Sequence, residues 1–148
     1  MSQSALEAWG EDIGRSVATP VVIALRGDLG AGKSVLARAV ARGAGVVGAM
    51  PSPTFNLLYR YTGRRATVVH LDLYRLEIEN DVWELGWREL GSGDEIVLAE
   101  WPERAENLLP ADRWEITLSP GPSEDLRNAS MKSFGDVGPL PSPAGKAL

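Results

Sequence analysis

The sequence contains no cysteine and a single histidine in 148 residues. These absences exclude disulfide bonds, a thiolate metal site and a site built from several histidines. No apolar run approaches the roughly 20 residues that a transmembrane helix needs, and the first residues lack the basic and apolar regions of a signal peptide. Together these absences predict a cytoplasmic protein.

An excess of positive charge is also absent, because 20 acidic residues outnumber 15 basic ones and the formal net charge is −5. A protein that holds nucleic acid by itself normally presents a basic surface that displaces counterions from the phosphates. We therefore expect any role with nucleic acid to be carried out mainly through another protein. The length and the hydrophobic content of 44% are those of one globular domain.

What the sequence does contain is a complete phosphate-loop pattern, G-x-x-x-x-G-K-[ST], at residues 27–34. Glycines let backbone N–H groups surround phosphates, the lysine contacts the β- and γ-phosphates, and the hydroxyl can bind Mg²⁺. An apolar run at 21–25 predicts a strand before the loop, and helix-forming residues at 35–42 predict a helix after it. This context predicts nucleotide binding by Asp28, Leu29, Gly30, Ala31, Gly32, Lys33, Ser34 and Val35.

Two acidic residues end predicted strands, and either can serve the metal. Asp72 ends the run Thr67–Asp72, and Glu100 ends the run Glu95–Glu100. An acid that follows a buried strand emerges at the sheet edge where the ligand of a phosphate loop lies. One acid can hold Mg²⁺ while the other orients the attacking water. Thr54, in a Pro-flanked loop, occupies the position of a switch threonine that senses Mg²⁺ and γ-phosphate.

Three further observations narrow the chemistry. His70 precedes Asp72 by two residues and so shares its strand face, although a single histidine is more often structural than catalytic. Trp101 can stack on a base, but with five tryptophans in the chain core packing is the commoner role. A guanine-reading Asn-Lys-x-Asp motif requires a lysine, and none of the lysines stands in one. ATP is therefore favoured over GTP.

The order of predicted elements indicates an α/β protein with a P-loop NTPase-like three-layer fold. A capping-box pattern at Ser4–Glu7 predicts that a helix opens there. Residues 55–61 and 64–73 predict an antiparallel hairpin, residues 82–90 a helix, and residues 114–119 and 126–133 a terminal hairpin. The sheet is thus expected to be mainly parallel with an antiparallel portion. We assign residues 1–134 to the domain and residues 135–148 to a Pro/Gly/Ser-rich tail that we expect to be disordered.

Four motifs together resemble the TsaE family, small bacterial ATPases of tRNA threonylcarbamoyladenosine biosynthesis. They are the loop at 28–34, Ser-Pro-Thr-Phe at 52–55, His-Leu-Asp-Leu-Tyr-Arg at 70–75 and Glu-Trp-Pro at 100–102. The resemblance covers residues 4 to 134, and its last two motifs are highly specific. It implies ATP, Mg²⁺ and partnership with the threonylcarbamoyltransferase pair (TsaD- and TsaB-like proteins), which modifies adenosine 37 of tRNAs reading ANN codons.

The resemblance also implies roles for individual residues. Ser34 and Glu100 resemble the Mg²⁺ ligands, and Trp101 resembles an aromatic side chain near the nucleotide. Ser34 stands where the family commonly has threonine, a change that keeps the hydroxyl. The residues implied in catalysis are Lys33, Thr54 and Asp72, and those that border the adenine are Gln3 and Arg127.

Two other functions remain open from the residues themselves. The chain could be a small-molecule kinase, although it offers no arginine-rich lid and little length for an acceptor domain. It could also be an ATP-binding regulatory module that does not hydrolyse, with Asp72 and Glu100 structural. We expect hydrolysis, slow in isolation and dependent on a partner.

Overall fold

The computed structural model of the chain describes residues 1–48, 50, 58–74 and 93–143. Within these ranges, a six-stranded sheet carries two helices and a short 3-10 helix. The strands are β1 Val21–Arg26, β2 Leu58–Thr62, β3 Thr67–Asp72, β4 Glu95–Glu100, β5 Arg113–Pro120 and β6 Arg127–Phe134. The helices are α1 Gln3–Ser16 and α2 Lys33–Gly43, and the 3-10 helix is Pro102–Leu108.

The strand order in the sheet is β2-β3-β4-β1-β5-β6. The four central strands are parallel, since β1 pairs with β4 and β5, and β4 also pairs with β3. The outer strands β2 and β6 run antiparallel to β3 and β5. The expectation of a mainly parallel sheet with antiparallel portions is confirmed, and both predicted hairpins pair as expected. The helix predicted at residues 82–90 lies outside the described residues.

Both helices belong to the larger of two apolar cores. Helix α1 contributes Leu6, Trp9 and Ile13, which are spaced three and four residues apart and are almost fully buried. The helix begins two residues earlier than the capping-box pattern indicates. Its cap is Ser2, whose side chain accepts a hydrogen bond of 3.1 Å from the Ala5 N–H. The pattern at Ser4 was therefore wrong about the cap by two residues.

Residues 135–143, the described part of the segment assigned to a tail, contact the domain. The Trp9 Nε1–H donates to the Pro141 carbonyl at 2.7 Å, and the Trp114 Nε1–H donates to the Gly138 carbonyl at 2.9 Å. Leu140 is only 9% exposed and joins the larger core. The division of the chain at residue 134 stays a prediction. In the described ranges, no helix has both the length and the apolar character needed to cross a membrane.

Candidate nucleotide-binding site

The phosphate loop connects β1 to α2 at the carboxyl edge of the parallel strands. Gly27 and Gly32 have positive φ angles of 146° and 108°. A Cβ atom at Gly27 would lie 2.6 Å from the Leu118 carbonyl oxygen, and one at Gly32 would lie 2.5 Å from the Arg127 guanidinium. The backbone conformation therefore favours glycine at both positions, and at Gly27 the close approach of the Leu118 backbone requires it as well. The loop delivers its last residues to the first turn of α2, where free N–H groups favour anions.

A cavity of about 290 Å³ opens beside this loop. It brings together most of the side chains that the sequence singles out, from both ends of the chain. A smaller cavity of about 180 Å³ adjoins it and contains Asp28 and Ala31. Thr54 lies outside the described residues. The residues lining the larger of these two cavities are Gln3, Leu29, Gly30, Gly32, Lys33, Ser34, Val35, Asp72, Glu100, Trp101 and Arg127.

Lys33 is buried at the base of the cavity, with only 5% of its surface exposed. Its ammonium donates to the carbonyls of Gly27 and Asp28, and it lies 3.6 Å from the centre of the Trp101 ring. Burial lowers the pKa of Lys33, and the nearby Glu100 carboxylate opposes that shift. These contacts with carbonyl oxygens and a ring face leave the positive charge poorly compensated. Phosphate oxygens would supply the missing negative charge.

Glu100 is the second buried charged residue of the site, and only 3% of its surface is exposed. The Ser34 hydroxyl lies 3.2 Å from its Oε1 and 3.1 Å from its Oε2. The His70 Nε2 contacts the same Oε2 from the neighbouring strand β3. Among the described residues, no group of three or more His, Cys, Asp or Glu side chains is arranged to hold a metal.

Asp72 lies directly across from Glu100 in the parallel pairing of β3 and β4. Burial raises the pKa of Asp72, and the Glu100 charge adds to the increase. The Tyr74 N–H donates to its Oδ1 at 3.0 Å and partly opposes that effect. Both acids line the cavity, but Glu100 has the side chains of Ser34 and His70 as hydrogen-bond partners, whereas Asp72 accepts from the Tyr74 backbone N–H.

Trp101 covers Lys33 from the far side of the loop. Its backbone has a positive φ of 57°, which is unusual for a bulky residue. Its ring packs against Tyr74 at a centroid distance of 4.8 Å, and the Arg104 guanidinium lies 5.6 Å from the Tyr74 ring centre. No role for Tyr74 was predicted from the sequence. Its position was a usable signal, because an aromatic residue follows each strand-end acid closely: Tyr74 comes two residues after Asp72, and Trp101 comes directly after Glu100.

Arg127 and Gln3 line the cavity from the two ends of the chain. The amino terminus of Met1 donates to the Arg127 carbonyl at 2.6 Å, and the Arg127 N–H donates to the Met1 carbonyl at 2.9 Å. These bonds fix β6 beside the start of α1. In the part of the chain that the structure describes, the Arg127 Nε is a buried nitrogen with no hydrogen-bond partner. The guanidinium thus has donor capacity beside the loop.

Comparisons with known proteins show the family of the chain. The family model for threonylcarbamoyl adenosine biosynthesis protein TsaE matches residues 1–129. A tRNA threonylcarbamoyladenosine biosynthesis protein TsaE of Treponema pallidum is 37% identical over 111 residues, covering 75% of this chain and 80% of the relative. The Bacillus subtilis protein of the same name is 33% identical over 115 residues, covering 78% and 71% of the two chains.

A solved structure also resembles the chain. The crystal structure of YdiB from Bacillus subtilis aligns with a TM-score of 0.76 at 26% sequence identity, covering 91% of this chain and 82% of YdiB. The family match, the identities and the shared fold agree with one another. The chain belongs to the TsaE family.

Proposed function

We propose that this member of the TsaE family binds ATP with Mg²⁺ and hydrolyses it in support of threonylcarbamoyladenosine formation on tRNA. One observation carries the proposal. Lys33, Ser34, Asp72 and Glu100 line one cavity at the end of a phosphate loop, although they come from three different elements. The names of the family's relatives supply the pathway.

Binding would use the backbone of the loop and the start of α2. The N–H groups of the loop surround the phosphates, and the Lys33 ammonium neutralises their charge. Ser34 and Glu100 would hold Mg²⁺, because they are oxygen ligands already within hydrogen-bond distance of one another. Bound Mg²⁺ neutralises charge on the β- and γ-phosphate oxygens. Trp101, Gln3 and Arg127 border the remaining space and are the proposed contacts of the nucleoside.

Hydrolysis would use Asp72 to orient the attacking water. Its carboxylate lines the cavity beside Glu100, and within the described ranges its hydrogen-bond partner is the Tyr74 backbone N–H. Thr54, the proposed switch residue, would complete the arrangement when the partner is bound. Phosphoryl transfer depends mainly on position and charge, so an incomplete site should be slow.

The partner is proposed to be the TsaD- and TsaB-like pair. The net charge of −5 disfavours strong tRNA binding by this chain alone. We therefore propose that tRNA is contacted mainly through the pair and that the pair accelerates hydrolysis.

Phosphate release should be measured for the protein alone, with the enzyme pair, and with tRNA only. We expect slow release alone and an increase of about tenfold or more with the pair, since one inserted positive charge can contribute about 10³–10⁵ in rate. Phosphate release by the Lys33→Ala variant, which should not bind ATP, measures the background from contaminating ATPases.

Three results would contradict this scheme. Full activity in isolation, or stimulation by tRNA without the pair, would exclude coupling to the pair. Phosphate transfer to a small-molecule acceptor would indicate a kinase. ATP binding with no release under any condition would indicate a regulatory module that does not hydrolyse.

A further inference from the structure

The single histidine of the chain is buried against the proposed metal ligand. His70 and Glu100 are each only 3% exposed, and the His70 Nε2 contacts the Glu100 Oε2. A buried imidazole beside a buried carboxylate has been removed from water at a cost, and the contact offsets that cost. The function described above does not by itself account for the histidine.

The strands explain how the two side chains meet. On β3, residues 68, 70 and 72 share one face, and Val68 belongs to the larger core. On β4, residues 96, 98 and 100 share the corresponding face, and Ile96 and Leu98 belong to the same core. His70 pairs with Leu98 in the register, two residues before the Asp72–Glu100 pair. Its ring therefore lies on the same face as Glu100 and α2.

The chemistry of the contact shows which of its two atoms carries the shared hydrogen. A carboxylate can only accept hydrogen bonds, so the imidazole must donate from Nε2. The Ser34 hydroxyl lies within 3.2 Å of both carboxylate oxygens but has one hydrogen to donate. His70 therefore donates to Oε2 and fixes the orientation of the carboxylate, whose two oxygens both lie within hydrogen-bond distance of the Ser34 hydroxyl. An apolar side chain of similar size would fill the space, yet the buried carboxylate would lose a donor and an orienting contact.

We propose that His70 is a positioning residue whose Nε2–H holds the Glu100 carboxylate beside Ser34 and thereby raises the affinity for Mg²⁺ in the nucleotide complex. The inference rests on the proposed function, because it assumes that Ser34 and Glu100 bind the metal. Hydrogen-bonded partners of metal ligands commonly contribute a factor of about 10–100 in metal affinity. His70 reaches the metal only through Glu100.

The test compares His70→Gln with His70→Asn, two amides that differ by one methylene. The glutamine amide can reach the position of Nε2, whereas the shorter asparagine amide cannot. His70→Leu removes the hydrogen-bond donor and fills the same space with an apolar side chain. Arg60→Met is the matched control, because it breaks an ion pair with Glu95 at the other end of β4.

The readouts are the binding of a non-hydrolysable ATP analogue, measured by calorimetry across a Mg²⁺ titration, and the binding of Mn²⁺, measured by electron paramagnetic resonance. We expect the metal concentration at half-saturation to rise about 10–100-fold in His70→Asn and His70→Leu. His70→Gln should stay within about threefold of the wild type, well inside that 10–100-fold range. Analogue binding without metal and the behaviour of Arg60→Met should be unchanged.

Thermal unfolding of every variant separates positioning from packing. Variants that lose stability but keep the wild-type metal dependence would overturn the inference, as would equal losses for Gln and Asn. A wild-type protein that binds the analogue with no metal dependence would overturn both the inference and the metal part of the proposed function. A normal wild-type response with unaffected variants overturns the inference alone.

Discussion

Two groups of charged side chains in this molecule differ in what the fold does to their charges. The site cluster comprises Lys33, Asp72 and Glu100, and the scaffold cluster comprises Arg26, Glu106, Arg113 and Glu115. In the site cluster, burial lowers the pKa of Lys33 and raises the pKa of Asp72. Both shifts disfavour the charged forms.

The scaffold cluster shows the opposite behaviour. The Arg26 Nε donates to the Glu115 Oε1 at 2.7 Å, and the Arg113 Nε donates to the Glu115 Oε2 at 2.8 Å. A third bond of 2.8 Å joins Arg26 to Glu106. These contacts lower the pKa of Glu115 and raise the pKa of Arg26, although burial opposes both shifts. Charge is stabilised here within the fold itself.

The difference indicates which cluster awaits a ligand. Buried charges that are compensated by one another need no further partner, and their contribution is to stability. Groups whose charged form is disfavoured by burial, as Lys33 and Asp72 are, gain further compensation when a ligand binds, and groups with such shifts concentrate at functional sites. The comparison predicts that substitutions in the site cluster change binding and rate, whereas substitutions in the scaffold cluster change stability.

The largest effect is expected for Lys33→Ala. Removing the ammonium should weaken ATP binding by about 100-fold or more, since charged hydrogen bonds to phosphate contribute about 1.5–3 kcal/mol. The free energy of unfolding should change by less than about 1 kcal/mol, because the lost bonds to loop carbonyls and the lost contact with the Trp101 ring are offset by removal of a buried charge. Calorimetric titration with ATP and chemical denaturation measure the two effects.

Lys132→Ala is the control for this variant, because its ammonium lies 5.0 Å from the Phe134 ring on β6, away from the cavity. Undiminished ATP affinity in Lys33→Ala would show that the cavity is not the phosphate site. A large loss of stability instead would show that Lys33, like the scaffold cluster, contributes mainly to the stability of the fold.

Asp72→Asn should affect rate rather than binding. The neutral amide cannot accept a proton from water in the way a carboxylate does, so hydrolysis should fall by about 10²–10⁴-fold. ATP affinity should stay within about threefold, a range of about 0.7 kcal/mol. Single-turnover phosphate release and calorimetry distinguish the two quantities. If Asp72→Asn instead abolishes Mg²⁺-dependent binding, Asp72 is the dominant metal ligand and Glu100 is not.

Much of the fold followed from local patterns. The phosphate-loop motif, the apolar run of β1 and the strand ending in Glu100 each depend on neighbouring residues, which a sequence shows directly. The convergence of Asp72 and Glu100 also followed, because parallel strands bring their carboxyl ends to one edge. The family resemblance is confirmed by the family model over residues 1–129.

What could not be predicted depends on contacts between distant segments. His70 shares a face with Asp72 in any strand, but its contact with Glu100 depends on the register between β3 and β4. The bond from Trp9 to the Pro141 carbonyl joins residues at opposite ends of the chain. Composition indicated a disordered tail, since Pro, Gly and Ser rarely form a core. Composition does not show that Trp9, far earlier in the chain, can donate a hydrogen bond to that segment.

The smallest effect, and the sharpest test of the comparison, is expected for Glu115→Gln. The amide keeps the shape of the side chain but weakens the bonds to Arg26 and Arg113, so the free energy of unfolding at pH 7 should fall by about 1–2 kcal/mol. ATP affinity should not change, because Glu115 is not among the residues lining the cavity of about 290 Å³. The pKa of Glu115 is lowered in the fold from its ordinary value of 4.5. Its stabilisation is therefore complete above pH 4.5 and is lost as the pH falls through the lower, folded-state pKa. Urea denaturation of both proteins from pH 7 down to pH 3.5 should show their stabilities converging below pH 4.5. A difference that persists unchanged across this range would mean that the carboxylate charge contributes nothing, and the contrast between the two clusters would not hold.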